Sequence, residues 1–205
     1  MKKVAMILVV MVCVSYCFTN YMAPVNAETS FSQTTSALSV AGYYSQYLKN
    51  HAEKENSAQE IMLYGKDVSA IKGDAEISSD YPGNTGDTLI SKQGSEVTWT
   101  ISVEHNGLYA MEIRYFPVAG NGGTIERNLR IDGALPFREA EFLTFPRYFT
   151  DDVQDNTFDK DYNGNEIKPA QKEVFRWITS EIKDPLGYTS GALQVYLEQG
   201  THTFS

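Results

Sequence analysis

The sequence predicts a mostly β protein, an antiparallel β-sandwich, and three observations favour this fold class. Residues 97–103 alternate apolar and polar side chains, as a strand with one buried face does. The dipeptide Asn106-Gly107 follows, and it suits a two-residue type I′ turn because Asn and Gly tolerate positive φ. A second alternating run at residues 109–115 comes directly after this turn. Consecutive strands with tight turns favour a sandwich or a barrel over an α/β fold.

The first 27 residues are typical of a secretory signal peptide. Lys2 and Lys3 precede an apolar run at residues 4–18, and small residues stand before the expected cleavage point after Ala27. The apolar run is shorter than the roughly 20 residues that a membrane-spanning helix needs. We therefore expect a protein that is secreted or associated with the cell envelope.

The chain that remains after cleavage is acidic and has no cysteine. The full sequence has 17 basic and 26 acidic residues, and removing Lys2 and Lys3 leaves 15 basic residues, a formal net charge of −11. This charge argues against nucleic acid as a partner. Both cysteines, Cys13 and Cys17, lie in the leader, so burial alone must stabilise the exported protein. A lipoprotein signal stays open, although neither cysteine follows a small residue.

The mature chain divides into a lead at residues 28–59 and a sandwich domain at residues 60–205. The stretch 28–36 is rich in Ser, Thr and Gln and indicates a flexible segment. Apolar residues then recur at helical spacing over residues 37–50, which predicts a short amphipathic helix. This helix could pack on its own domain or dock a partner. The polar stretch 51–59 indicates a linker.

Short strands separated by turn residues are predicted after residue 60. The predicted strands are residues 61–64, 75–78, 88–91, 97–103, 109–115, 125–131, 174–182 and 193–197, with a last one starting at Gly200. Turns are predicted at residues 81–84, 106–107, 120–123, 132–133 and 184–187. Residues 134–172 are irregular, and a segment of this length is commonly functional or contains short elements. Because the last predicted strand stops at Ser205, we expect the final strands of the sandwich to be missing.

These motifs resemble a known group of modules. The resemblance to galactose-binding-like jelly-roll domains is carried by Gly-Leu-Tyr at 107–109, Ile-Arg-Tyr at 113–115, Ile-Asp-Gly at 131–133 and Gly-Thr-His-Thr-Phe at 200–204. Residues 107–137 and 163–177 are also similar to the N-terminal β-sandwich region of bacterial extracellular solute-binding proteins of ABC transporters. The resemblance implies a carbohydrate-binding-like module for sugar uptake. It also implies that contact with a membrane transporter would need a C-terminal domain that this chain lacks.

Carbohydrate recognition usually needs flat aromatic rings beside polar groups that reach the hydroxyls. The candidate residues are Tyr148, Phe149, Tyr162, Trp177, Tyr188 and Arg114. Arg114 could line a concave sheet face, or it could form a solvated pair with Glu112 or Glu126. Trp99 is predicted to be a core residue because it shares the apolar face of its strand.

One segment matches the opening of a calcium loop. Asp159, Asp161 and Asn163, followed by Gly164, supply closely spaced oxygen ligands and a sharp turn. The twelfth position holds Ala170, where a bidentate glutamate is expected. The same residue types form ordinary turns, so calcium and a plain loop both stay open.

Catalytic motifs are missing from the sequence. There is no Gly-x-Ser-x-Gly elbow and no histidine pair at metal spacing, and His51, His105 and His202 are predicted to be surface residues. We therefore expect a non-catalytic module without a cofactor, and calcium is the one possibility left open. Two alternatives are a structural or protein-docking spacer without its own ligand, and an accessory domain of a secreted glycoside hydrolase.

Overall fold

The computed structural model describes residues 41–120, 122–153 and 157–205, together with the backbone of residues 8–9. The strands are β1 (Leu8–Val9), β2 (Val68–Lys72), β3 (Ala75–Ser78), β4 (Thr88–Ser91), β5 (Glu96–Val103), β6 (Gly107–Ala110), β7 (Glu112–Tyr115), β8 (Ile125–Arg127), β9 (Leu143–Phe145), β10 (Phe149–Asp151), β11 (Gln171–Glu173), β12 (Ile178–Glu181), β13 (Gln194–Leu197) and β14 (Gly200–Phe204). Within these described residues, one α-helix, α1 (Tyr44–Asn50), and two 3₁₀ turns, Gly65–Asp67 and Arg138–Glu141, complete the elements. The rest of the predicted signal peptide and lead, up to residue 40, lies outside the described residues.

The first sheet is built around β5. β14 and β2 lie on either side of β5, and both are antiparallel to it. The far edge of β14 is also paired, because Arg130 N–H donates to the Ser205 carbonyl at 2.7 Å and Ser205 N–H donates back to Arg130 at 3.0 Å. β14 therefore has backbone partners on both of its edges.

The second sheet has one long strand at its centre, formed by β6 and β7 with Met111 between them. β13 pairs with β6 and β12 pairs with β7, both antiparallel. At the junction Met111 N–H donates to the Leu193 carbonyl and Ile182 N–H donates to the Met111 carbonyl. Leu193 N–H in turn donates to the Ile182 carbonyl at 2.7 Å. β12 and β13 therefore form one interrupted strand, from which residues 183–192 project as an excursion.

The two sheets face each other across a shared apolar core. Every second side chain of β5 and of the β6–β7 strand is at most 9% exposed: Val97, Trp99, Ile101, Val103, Tyr109, Met111, Ile113 and Tyr115. Leu129, Phe137, Leu143 and Phe145, from the long middle segment, join the same core. The molecule is thus mostly β with antiparallel sheets, as predicted, and its two layers are consistent with a β-sandwich.

The turn at Asn106-Gly107 is not a hairpin, which corrects the sequence prediction. β5 pairs with β14 and β2, and β6 pairs with β13, so the turn carries the chain from one sheet to the other. Neither residue has positive φ, so the prediction of a type I′ turn here is wrong. Gly107 is required for a different reason: a Cβ there would lie 2.9 Å from the Ser57 backbone nitrogen and 2.9 Å from the Ser57 Cβ.

Several element boundaries also differ from the prediction. Residues 61–64, predicted as a strand, are irregular although Leu63 is buried. The strand β2 follows them and was not predicted, because most of its side chains are exposed and its sequence does not alternate. The strand predicted at 125–131 ends at Arg127 and pairs with β9. The strand predicted at 174–182 begins only at Ile178. β3 and β4 match the predicted ranges 75–78 and 88–91.

Helix α1 is shorter than the predicted helix and packs on its own domain. It begins at Tyr44, and residues 37–40 of the prediction lie outside the described part of the chain. The hydroxyl groups of Tyr44 and Tyr47 accept the backbone N–H groups of Gln194 at 2.8 Å and of Tyr196 at 2.7 Å. These N–H groups lie on the edge of β13 that faces away from β6, so the helix protects an otherwise open edge. Within the described residues no helix is long and apolar enough to cross a membrane.

Removing the Tyr44 hydroxyl will test this edge protection. We expect Tyr44→Phe to lower the free energy of unfolding by about 1–3 kcal/mol, because it leaves the Gln194 N–H without its acceptor. Amide exchange at Gln194 should become faster. Tyr43→Phe removes a hydroxyl that accepts from Arg138 at an exposed site, and it should cost less. Equal costs for the two variants would contradict the role of Tyr44.

Residues 51–59, predicted as a linker, also contact the sandwich. Asn56 forms a parallel bridge to Leu108, with Ser57 N–H donating to the Leu108 carbonyl at 3.0 Å. The Gln59 side-chain carbonyl accepts from the Tyr109 hydroxyl at 2.9 Å. This stretch therefore covers the edge of β6 opposite β13.

The type I′ turn that the sequence placed at residues 106–107 occurs instead at Asp132-Gly133. Both residues have positive φ, 52° and 78°, and Ile131 and Ala134 form the closing pair. Asp132 also accepts from the Thr203 N–H at 2.8 Å and contacts His202 Nδ1 at 2.6 Å. His202, predicted as a simple surface residue, is thus held between Asp132 and the Glu198 carbonyl.

The contact between Asp132 and His202 makes the stability of the protein depend on pH. Burial alone would lower the pKa of His202, but hydrogen bonds to Asp132 and Glu198 and their charges raise the pKa above its ordinary 6.5. Burial likewise opposes the shift at Asp132, whose pKa is lowered from 3.8 by hydrogen bonds from Thr203 and His202. The His202 contribution to stability is therefore fully present below pH 6.5 and is lost as the pH rises through the raised pKa.

We expect Asp132→Asn to lower the pKa of His202 in an NMR titration. Asn keeps the turn because it tolerates positive φ, and its carbonyl can still accept from Thr203. The loss of stability between neutral and alkaline pH that is due to His202 should be smaller in this variant. An unchanged His202 titration would contradict the assignment.

Candidate functional site

Trp177 lies in an aromatic cluster on the outer face of the second sheet. Its ring meets Tyr81 at 6.0 Å and Phe116 at 5.6 Å between centroids, both edge to face. Its indole N–H donates to the Pro82 carbonyl at 3.0 Å. These contacts leave the ring partly buried, and burial also raises the pKa of Tyr81.

Arg114 is part of the same cluster. Its guanidinium carbon lies 4.2 Å from the centroid of the Trp177 ring, a cation–π distance, and Nη1 donates to the Asn84 side-chain carbonyl at 2.9 Å. The sequence had left open a solvated pair of Arg114 with Glu112 or Glu126, and the structure shows these two contacts instead. Two predicted sugar-binding residues, Arg114 and Trp177, are therefore brought together, but each covers the other. Their geometry indicates that the two side chains support the sheet surface. It does not indicate an open platform for a sugar ring.

Tyr148 and Phe149 begin a two-stranded ribbon formed by β10 and β11, which we call the β10–β11 ribbon (residues 147–151 and 171–176). Tyr148 is 40% exposed and Phe149 is 44% exposed. Phe149 stands opposite Glu173 in the ladder, and Val174 N–H donates to the Tyr148 carbonyl at 2.8 Å. Because consecutive residues of a strand point to opposite faces, these two rings cannot share one platform.

The Tyr148 face of the ribbon combines a ring with a cation. The Arg176 guanidinium carbon lies 5.1 Å from the centroid of the Tyr148 ring, and Arg176 is exposed to solvent. Phe175, 47% exposed, belongs to the same end of the ribbon. Sequence reasoning missed Phe175 and Arg176, although both stand directly before Trp177 in the run that carries the family resemblance.

A buried ion pair fixes the base of this ribbon. Arg147 Nη1 contacts Glu173 Oε1 at 2.5 Å, and the two side chains are only 4% and 10% exposed. Arg147 also donates to the carbonyl groups of Val118 at 2.7 Å and Gly123 at 2.8 Å. The guanidinium thus joins the ribbon, which carries the Tyr148 ring, to the loop after β7.

Tyr115 supports the same region from the core. Its hydroxyl donates to the Pro146 carbonyl at 2.6 Å, directly before the ribbon. Burial, with a smaller contribution from Tyr148, raises the pKa of Tyr115 to about 12, although Arg147 acts in the opposite direction. The phenol therefore stays protonated at ordinary pH and keeps donating this hydrogen bond.

The remaining predicted aromatic residues lie elsewhere. Tyr162 is 97% exposed in the turn after β10, and Tyr188 is 84% exposed in the excursion formed by residues 183–192. In the part of the chain that the structure describes, no ring contact connects either residue with Tyr148 or Trp177. The excursion itself is held by Asp184, whose carboxylate accepts from Leu186 N–H at 2.9 Å and Thr189 N–H at 3.0 Å.

The calcium-like segment forms an Asx-type turn. The Asp161 carboxylate accepts from the backbone N–H groups of Asn163 at 2.9 Å and Asn165 at 2.8 Å, and from the Asn165 side chain at 3.0 Å. The hydrogen bonds from Asn165 lower the pKa of Asp161. Across residues 41–120, 122–153 and 157–205, no three His, Cys, Asp or Glu side chains converge as they do around a metal ion. The oxygens of Asp161 are thus used by its own turn, and calcium binding at Asp159, Asp161 and Asn163 stays a prediction.

Comparison of the chain with protein-family models, with curated proteins and with solved structures finds no match.

Proposed function

We propose that this protein is an exported, non-catalytic β-sandwich module of jelly-roll type that binds carbohydrate at the Tyr148 face of the β10–β11 ribbon. One observation carries the proposal: a half-exposed Tyr148 ring stands beside the exposed Arg176 guanidinium on a ribbon anchored by the buried Arg147–Glu173 pair. A flat ring can stack on the apolar face of a pyranose, and a guanidinium offers several N–H donors to hydroxyl groups. Because the buried Arg147–Glu173 pair already holds the base of the ribbon in place, we expect little loss of conformational entropy on binding.

The wider role in sugar uptake, through a solute-binding protein of an ABC transporter, is supported by the sequence resemblance. Docking through helix α1 has less support, because Tyr44 and Tyr47 are used for contacts with β13. An accessory role beside a glycoside hydrolase would use the same binding face, and the neighbouring catalytic domain would distinguish it.

Affinity electrophoresis in gels that contain plant or microbial polysaccharides tests the binding. We expect retention of the protein in at least one gel, and loss of most of that retention in Tyr148→Ala, since one stacked ring contributes about 1 kcal/mol or more. Tyr43→Ala is a matched control, because Tyr43 is 57% exposed and has the Arg138 guanidinium 5.1 Å from its ring centroid.

The control should keep the retention of the unmodified protein. No retention in any polysaccharide gel would overturn the proposed function. Equal loss in Tyr148→Ala and Tyr43→Ala would overturn the assignment of the binding face.

A further inference from the structure

The molecule contains a cavity of about 450 Å³ between the two sheets. Trp99, Ile113, Leu129, Phe145 and Phe204 are among its lining residues, and each is at most 8% exposed. Protein interiors are close-packed and have few voids larger than a water molecule. Pockets for small molecules, in contrast, usually have volumes of about 300–1,000 Å³ and mostly apolar walls. This cavity therefore has the size and the wall of a ligand pocket.

Polar residues line the cavity where it opens to solvent. They come from the turn between β4 and β5 and from the end of β8: Gln93, Ser95, Glu96, Glu126, Arg127 and Asn128. All six are exposed or half-exposed, whereas the apolar lining residues are buried. The cavity thus combines an apolar interior with a polar mouth. This combination favours a ligand that is itself amphipathic.

The charges at the mouth balance one another. Glu96 pairs with Lys72 at 3.1 Å, and Glu126 is followed by Arg127, whose guanidinium donates to the Glu126 carbonyl at 2.8 Å. Two acidic and two basic side chains sum to a formal charge of zero, so the mouth does not select an anion or a cation. A charged group would also lose hydration beside the apolar interior. We therefore expect an uncharged ligand.

Ser91 is a buried polar residue of the same cavity wall. It is 4% exposed and lies two positions after Leu89 on β4, so the two side chains project to the same face of the strand. Both residues line the cavity. A serine hydroxyl donates and accepts hydrogen bonds, as the side-chain amides of Gln93 and Asn128 do at the mouth. These groups are suited to hydroxyl groups on a ligand.

We propose that the cavity binds an uncharged amphiphile, a molecule with an apolar body and a hydroxyl-bearing head. The body lies against Trp99, Leu129 and Phe145, and the head lies at the polar mouth. An apolar cavity of about 150 Å³ holds one benzene molecule, so this cavity has room for roughly three times that bulk. Among the described residues, none that lines the cavity belongs to the β10–β11 ribbon. The inference is therefore independent of carbohydrate binding at Tyr148.

Tryptophan emission of the full chain tests the site. The sequence has two tryptophans, and Trp177→Phe leaves Trp99, in the cavity wall, as the single reporter. We expect 1-decanol to change the Trp99 emission in a saturable way, with one ligand per chain. It should also raise the unfolding temperature of the unmodified protein, because a ligand that binds only the folded state stabilises it. Decanoate and decyltrimethylammonium, which carry the same alkyl chain on a charged head, should bind at least about tenfold more weakly.

A pair of leucine variants tests the location. Leu129→Phe adds volume to the cavity wall and should weaken 1-decanol binding at least about tenfold. Leu135→Phe makes the same change at a partly buried leucine outside the lining, and it should alter the affinity less than about threefold. Urea unfolding shows whether each variant is folded. If Leu129→Phe does not fold, Leu143→Phe makes the same test from β9.

The inference is wrong if 1-decanol neither changes the Trp99 emission nor raises the unfolding temperature. Binding of decanoate or decyltrimethylammonium as tight as that of 1-decanol would overturn the assigned class of ligand, because the mouth would then not select an uncharged head. An unchanged affinity for 1-decanol in a folded variant with a filled cavity wall would place the ligand elsewhere on the protein and would overturn the site.

Discussion

Replacing Phe137 by alanine will lower the free energy of unfolding by about 3–5 kcal/mol, the usual cost of removing a fully buried phenylalanine ring. Phe137 is 0% exposed, and its ring meets Tyr44 at 4.7 Å and Tyr47 at 5.2 Å between centroids. The substitution leaves a cavity between helix α1 and the sandwich. Urea denaturation followed by tryptophan fluorescence measures the loss.

Phe142→Ala is the matched control. It removes the same atoms a few residues away, but Phe142 is 58% exposed, so the loss should stay within about 0.5 kcal/mol. A cost below about 1 kcal/mol for Phe137→Ala would mean that the helix does not pack on the sandwich as described.

Glu173→Ala will destabilise the protein by about 3–5 kcal/mol, because it leaves the Arg147 guanidinium buried without its counter-ion. Arg147 and Glu173 are 4% and 10% exposed, so water cannot replace the lost carboxylate. The double variant Arg147→Met/Glu173→Leu should recover most of the loss, since a buried ion pair can often be replaced by apolar residues of similar size. Thermal and urea unfolding of the three proteins provide the comparison.

An exposed pair on the same ribbon serves as the control. Lys172 and Asp152 form an ion pair at 2.9 Å with side chains that are 56% and 58% exposed. Asp152→Ala should cost less than about 1 kcal/mol, as is usual for surface ion pairs. If Glu173→Ala cost no more than Asp152→Ala, the buried pair would not anchor the β10–β11 ribbon.

The period-two pattern predicted which side chains enter the core but not which strands pair. Trp99, Ile101, Met111 and Ile113 are all buried, as the alternation indicated. Burial depends on side-chain parity, which a strand carries in its own sequence. Pairing depends on distant parts of the chain, and β5 finds its partners at β2 and β14.

The error at Asn106-Gly107 has a specific cause. A glycine can serve either positive φ or close backbone approach, and the dipeptide does not distinguish the two. Here the approach of Ser57 uses Gly107, whereas Asp132-Gly133 has the positive φ angles of a type I′ turn.

The candidate site was only partly predictable. Tyr148 and Phe149 were chosen as aromatic residues in an irregular segment, and both are half-exposed. Their division between two faces of a ribbon could not be predicted, because β11 is only three residues long and has no alternation signal. Phe137 was missed for a similar reason: it enters the core from a segment without periodicity.

Cross-strand NOEs between backbone protons test the central structural claim most directly. We expect NOEs that connect Ile101 with His202 and Tyr109 with Val195, because these residues are ladder partners in two different sheets. NOEs between Ile101 and Glu112, the register of a two-residue hairpin, would contradict the two-sheet arrangement described here.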